Sequence, residues 1–321
     1  MKRYGAGVAV AATVLTLGFG ASAQNFPTKP IRIVVPYAAG GSDAQLRPMA
    51  QCLQADLGQP VVIENIPGAN GAVGSAQVAR SAPDGHTLLY PNTAAMTLAP
   101  KLGTIPYAPT DFTPIVQLIY RPLVLASRRD SPYQTLKDLI AAAKEKPSEI
   151  SFGSAGLNST SHMATEALLA RVGIKLLHVP YTGEVPAVTS VLNGTTTFTV
   201  TAPQSIMPQV LGGKLTALGS TGKERFALTP DVPTMRESGF DGVDVIARMG
   251  IFAPKGTPDP VMQKIGNAFS QCAKDEAYKN LMKGVYNDVV YMEPKQFRDS
   301  LVEEAVFYDK LLDTMGIKPA K

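Results

Sequence analysis

The chain has no tryptophan, three histidines and two cysteines among its 321 residues. The histidines, His86, His162 and His178, form no HxxxH or HExxH pair, and Cys52 and Cys272 stand far apart. No zinc-ligand spacing is therefore present. A dominant charge is also missing: 30 Lys+Arg against 26 Asp+Glu leave +4, too balanced to mark a nucleic-acid binder. No P-loop occurs. Residues 68–74 read GANGAVG, spaced GxxGxxG and not as the dinucleotide pattern GxGxxG, so a tight turn accounts for them. Ser154 sits in FGSAG, where a nucleophile elbow would need glycine in place of Phe152. Metalloenzyme, dehydrogenase and hydrolase readings each lose a key residue, so no catalytic group, metal or cofactor is expected.

What is present begins with an address. Residues 1–23 carry basic Lys2 and Arg3, then a short apolar stretch, then Ala21-Ser22-Ala23. That order predicts a signal peptide cleaved after Ala23 and an exported protein. No later apolar run reaches the ~20 residues of a membrane helix. In an oxidising compartment, Cys52 and Cys272 are either one disulfide or two buried thiols.

The mature chain alternates short β-branched runs with helical stretches. IRIVVPY from Ile31 reads as a buried first strand, followed by a Gly-Gly-Ser-Asp turn and a helix from Ala44 to Leu57. VVIEN, TLLY, LVLAS, SFGS, KLLHVPY and TTTFTV repeat the strand pattern with helices between them. Such alternation predicts parallel sheets with crossover helices. From Pro258 the tail reads as three amphipathic helices. With 28 glycines and 26 prolines, the connections should be short and tight.

Two strand-to-helix loops share one chemistry. The first runs from Pro36 to Asp43, the second from Gly153 to His162. Each sets small residues and hydroxyls at a helix start, where free N–H groups and the dipole favour an anion. Ligands of open α/β sheets lie beyond the carboxyl ends of the strands, where both loops fall. The pair predicts a cleft that binds a small anion.

At these loops the chain resembles the Bug family, the periplasmic solute-binding proteins of tripartite tricarboxylate transporters. The resemblance spans nearly the whole mature chain: PTKPIRIVVPYAAGG at 27–41, LGQPVVIENIPGANGAVG at 57–74, APDGHTLL at 82–89, ISFGSAGLNSTSH at 150–162, HVPYTGEVPAV at 178–188, LTPDVPTMRESGF at 228–240 and FAPKGTP at 252–258. It implies a two-lobed, hinged α/β fold of the type II periplasmic binding class. Each lobe would hold a mainly parallel sheet flanked by helices, with a helical C-terminal tail. Lobe 1 would comprise 24–121 with 252–321 and lobe 2 would comprise 122–251, with crossings near Tyr120-Arg121 and Gly250-Ile251. Cys52 and Cys272 then share a lobe, an arrangement that permits a bridge.

The resemblance also implies a carboxylate ligand, di- or tricarboxylate or a related organic acid, and permease subunits as partners of a monomeric receptor. Candidate ligand contacts are Tyr37, Gly41, Ser42, Asp43 and Thr93 in one lobe, and Ser154, Ala155, Asn158, Ser159 and His162 in the other. His162 has a second reading, that of orienting its loop. Thr201 stands where the family often has Asp, and Arg248 where an aromatic residue is frequent. Both changes predict a more anionic ligand with a second carboxylate. Alternatives are a signalling co-receptor and a secreted hydrolase built on Ser154 with His162.

Overall fold

The structure is a computed structural model that describes residues 26–40, 42–103 and 105–317. The expected signal peptide and Gly41 lie outside the described residues. Strand β1 (Ile31–Val35) is almost wholly buried and pairs in parallel with β2 (Val61–Asn65) and β3 (Thr87–Leu89). Its β-branched residues suit a strand covered on both faces. Helix α1 (Ala50–Leu57) covers one face, where Leu53 and Leu57 meet Ile31, Ile33 and Val35. Helix α2 (Ala72–Ala79) covers the other, against Val34 and Leu89.

The first helix is shorter than the sequence predicts. Pro48 cannot donate to the preceding turn. A single helical turn, Asp43–Leu46, therefore gives way to a 3₁₀ segment, Arg47–Met49, before α1 begins.

The chain next forms β4 (Phe112–Pro122) and turns at Leu123 into β5 (Val124–Arg128), which belongs to a second sheet. That sheet adds β6 (Ser151–Ser154), β7 (Leu177–Pro180), β8 (Phe198–Thr201) and β9 (Leu215–Ser220), in the order β7-β6-β8-β5-β9. Helices α3 (Leu136–Glu145), α4 (Thr160–Val172), α5 (Glu184–Leu192) and α6 (Pro203–Leu211) flank it. A capping box opens α3: Asp138 N–H donates to Thr135 Oγ1 at 3.2 Å, and Thr135 N–H donates to the Asp138 carboxylate at 2.9 Å.

The chain returns through β10 (Ile246–Pro254), inserted antiparallel between β3 and β4 from Ile246 onward. Both sheets are thus mixed. Strands joined by crossover helices pair in parallel, as β1 does with β2 and β3 and β6 does with β7 and β8. Strands that carry the chain between sheets arrive in the opposite sense, so β4 and β10 pair antiparallel, as do β5 and β9.

Three helices follow: α7 (Asp259–Lys274), α8 (Glu276–Gly284) and α9 (Pro294–Thr314). Between the last two lies β11 (Asp288–Met292), an edge strand whose uniformly half-buried residues give no alternating signal. Cys52 of α1 and Cys272 of α7 are joined by a disulfide. Helix α9 touches both bodies. Its Phe297 packs with Phe252 beside the first sheet, while Tyr308, Leu311 and Leu312 lie in the core of the second. A side chain at Gly250 would meet Phe297, which explains the small residue in the middle of β10.

Candidate functional site

Loops from both sheets line a cleft between them. It has two chambers, of about 430 and 770 Å³. They meet at Tyr37, Ser42, Asn70, Arg121, Ala155 and Glu184, each of which faces both.

On the first-sheet side, the loop after β1 is braced from behind. Asn65 donates to the Tyr37 carbonyl at 3.0 Å, and the Tyr37 hydroxyl accepts from Asn92 N–H at 3.1 Å. Burial pushes the Tyr37 phenol up to about 12, so it stays protonated. Asp43 does not line the cleft. Its carboxylate accepts Gly40 N–H at 2.8 Å and Arg47 Nε at 2.9 Å, closing the loop. Burial would raise its pKa, but these donors outweigh burial and hold it below the usual carboxylate value. The glycine-rich loop packs beside this one. A Cβ on Gly74 would lie 2.8 Å from the Ile66 carbonyl, and Asn70, at φ +52°, reaches the cleft.

On the second-sheet side, the loop after β6 leads into α4. Ala155, Asn158 and Ser159 line the cleft with Thr160 and Ser161. Ser159 caps α4: its hydroxyl accepts His162 N–H at 3.2 Å and donates to the Gly156 carbonyl at 2.7 Å. Ser154 and His162 stand behind this wall. The Ser154 hydroxyl is 2.7 Å from His178 Nε2, and its residue is fully buried. His162 Nδ1 accepts Asn158 N–H at 3.1 Å, so the ring holds Asn158 at φ +60°. His162 also stacks on His178 with centroids 4.0 Å apart. Burial, then the neighbouring His162, pushes the His178 imidazole down to about 4 despite the opposing Glu166.

Three further candidates also face away from the cleft. Thr93 is fully buried and donates to Glu304 Oε1 of α9 at 3.0 Å. Thr201 is fully buried at the end of β8. Strand alternation sends Ala247 and Met249 into the cleft and Arg248 to the opposite face. There Arg248 lies 3.9 Å from Glu304 and 5.9 Å from the centre of the Tyr120 ring. Arg248, which the sequence offered as a cation near the ligand, thus faces away from the cleft in this structure.

Among the described lining residues the cation is Arg121, near the end of β4 where the first sheet gives way to the second. It is only 8% exposed. Its Nη1 donates to Gln204 of α6 at 2.7 Å and to Asn287, before β11, at 3.1 Å, so it ties both bodies together. Its Nε is buried with no protein partner. Glu184, at the start of α5, accepts from Ser205 Oγ at 2.8 Å and adds a favourable charge to Arg121. Sequence reading placed Arg121 at a crossing and passed over it as a site, and it passed over Glu184 altogether. The available signal was one basic residue in the apolar run FTPIVQLIYRP.

The family model described as tripartite tricarboxylate transporter family receptor matches residues 46–317. The Protein BugT of Bordetella pertussis is 32% identical over 312 residues, covering 95% of each chain. A protein encoded in the gbd 5′ region of Cupriavidus necator is 32% identical, covering 98% of this chain and 97% of its own. Among solved structures, the periplasmic binding protein BugD superposes with TM-score 0.80 at 31% identity, covering 91% of this chain and 99% of BugD. MatC of Rhodopseudomonas palustris, solved with malate, gives 0.78 at 29%, covering 89% and 100%. An R. palustris protein solved with adipate gives 0.83 at 26%, covering 92% and 100%.

Proposed function

The chain belongs to the tripartite tricarboxylate transporter receptor family, and on that premise we propose that it captures a small carboxylate between its lobes in the periplasm and delivers it to a membrane permease. Its family is one of solute-binding receptors. The two sheet bodies are the lobes, and β4 and β10 are the hinge strands. The observation that carries the reading is Arg121: a buried guanidinium facing both chambers, with Nε unpartnered. A carboxylate entering the cleft would pair with the part of the guanidinium that lines the chambers.

Ligand then adds bonds from both lobes to a residue that already bridges them. Tyr37, Ser42, Asn70, Ala155, Asn158 and Ser159 supply neutral contacts, and Ser159–Ser161 bring the α4 N-terminus to the anion. Asp43, Thr93, Ser154, His162 and Thr201 shape the wall from behind. Closure is a population shift: ligand favours the conformation in which both loops reach it.

The test is a thermal-shift titration of mature protein, refolded to strip bound ligand, against a panel of carboxylates and their amides. A carboxylate at ~100 times its Kd should add ~2.7 kcal/mol, and its amide nothing. The Arg121→Met variant should lose the response. Equal shifts from acid and amide would refute the proposal.

A further inference from the structure

The two chambers carry one positive and one negative side chain. Among the described lining residues, Arg121 is the cation and Glu184 the anion; the others are neutral. No ion pair among the described residues joins the two, although they sit close enough to influence each other. A ligand with one carboxylate finds one partner. A second carboxylate would find no further cation, only neutral donors such as those at the α4 N-terminus, and would share the cleft with Glu184. Desolvating an uncompensated charge is costly, and a like charge adds to the cost.

The smaller chamber has the complementary character. Leu98, Leu102, Ile105, Leu123, Leu157 and Met249 line it. Leu157 is 65% exposed, an unusual state for a large apolar side chain at a cleft wall. A hydrocarbon or aromatic body would cover it, gaining roughly 25 cal/mol per Å² of apolar surface removed from water. The larger chamber offers amides and hydroxyls from Gln45, Asn70, Thr182, Gln204 and Ser205, and no second cation among its described residues.

We infer that this cleft selects a monocarboxylate with an apolar body: Arg121 binds the carboxylate, the Leu102 side of the cleft takes the body, and Glu184 excludes a second acid group. The inference rests on the carboxylate reading above and narrows it. It also reverses the expectation of a second carboxylate, because Arg248 faces away.

Hexanoate and adipate make a matched pair of probes: six carbons each, differing by one terminal carboxylate. Calorimetric titration of refolded mature protein should give a Kd for hexanoate at least 10-fold below that for adipate, with 3-phenylpropionate also binding. In Glu184→Gln the adipate-to-hexanoate ratio should fall toward one. That variant keeps a side-chain oxygen for Ser205, and its unliganded melting point reports whether it folds. Leu157→Ser, at an exposed position, should weaken hexanoate more than malate.

Adipate binding as tightly as hexanoate would overturn the inference and leave the carboxylate reading standing. An unchanged ratio in folded Glu184→Gln would overturn the role of Glu184. Failure of every acid to bind natively folded protein would overturn both readings.

Discussion

Removing the Cys52–Cys272 disulfide offers a magnitude that can be worked out in advance. The bridged residues are separated by 220 positions. The loop-entropy relation for a loop of that length gives about 5 kcal/mol of stabilisation, an upper figure because it assigns the whole effect to the denatured chain. Unfolding a domain of this size carries an entropy of about 0.6 kcal/mol per kelvin, so the melting point should drop by about 8 °C. Location sharpens the expectation. Both cysteines lie in the first-sheet core, Cys272 buried among Leu53, Ile265 and Phe269 with Cys52 packed against it, yet the loop they close contains the entire second sheet. If the lobes melt separately, the bridge should move only the transition of the first-sheet lobe. Differential scanning calorimetry of the Cys52→Ala/Cys272→Ala variant would measure this. Reduction of the unmodified protein separates the crosslink from lost sulfur packing. A drop below about 2 °C, or an equal shift in two resolved transitions, would refute the argument.

Three other outcomes are expected. Gly250→Ala should destabilise by about 1–3 kcal/mol in denaturant titration, because the new Cβ would meet the Phe297 ring and lie 2.7 Å from the Val116 carbonyl. Burial raises the Glu304 pKa against the opposing pull of Arg248 and Thr93. The native state therefore holds that proton to higher pH than the unfolded chain, and stability falls as pH rises from the unfolded value through the folded one. Glu304→Gln should remove this part of the melting-point profile. His178 has the opposite sense: its folded value of about 4 lies below the ordinary imidazole value of 6.5, so its contribution is complete above 6.5 and is lost as pH falls toward 4. NMR titration should find its imidazole neutral at pH 5, and Ser154→Ala, which removes the 2.7 Å hydrogen bond, should cost about 0.5–1.5 kcal/mol.

How much of this was legible varied with the range of the interaction. The buried run IRIVV and the Gly-Gly turn after it are local patterns, and they mark a strand and a loop at the cleft without further context. The wall formed by Ala155, Asn158 and Ser159 is read the same way, from small and hydroxyl residues at a helix start. The side a strand residue faces is another matter. Ala247, Arg248 and Met249 differ by single positions, and only the pairing of β10 with β4 decides which of them faces the cleft. Thr93 is committed to Glu304, 211 positions away, and no local signal announces that bond. Pro48 was visible as a breaker, but how far it shortened the helix depended on packing. Arg121 stood at an expected crossing, and its partners, Gln204 and Asn287, come from distant segments that no local pattern brings together. Helix α9 reads as one amphipathic stretch, since an apolar residue looks the same whichever core receives it.

That helix has a consequence for the geometry of the chain's ends. The described chain starts at Phe26, buried in the first-sheet core with Ile31 a few residues on, and finishes with Ile317 packed on the second. A helix of 21 residues, roughly 30 Å at 1.5 Å per residue, carries the terminus from one body to the other. The two ends of the described chain, Phe26 and Ile317, are therefore packed on opposite bodies. Fluorophores placed at them form a ruler across the hinge, and the distance they report follows the angle between the lobes without any label near the cleft.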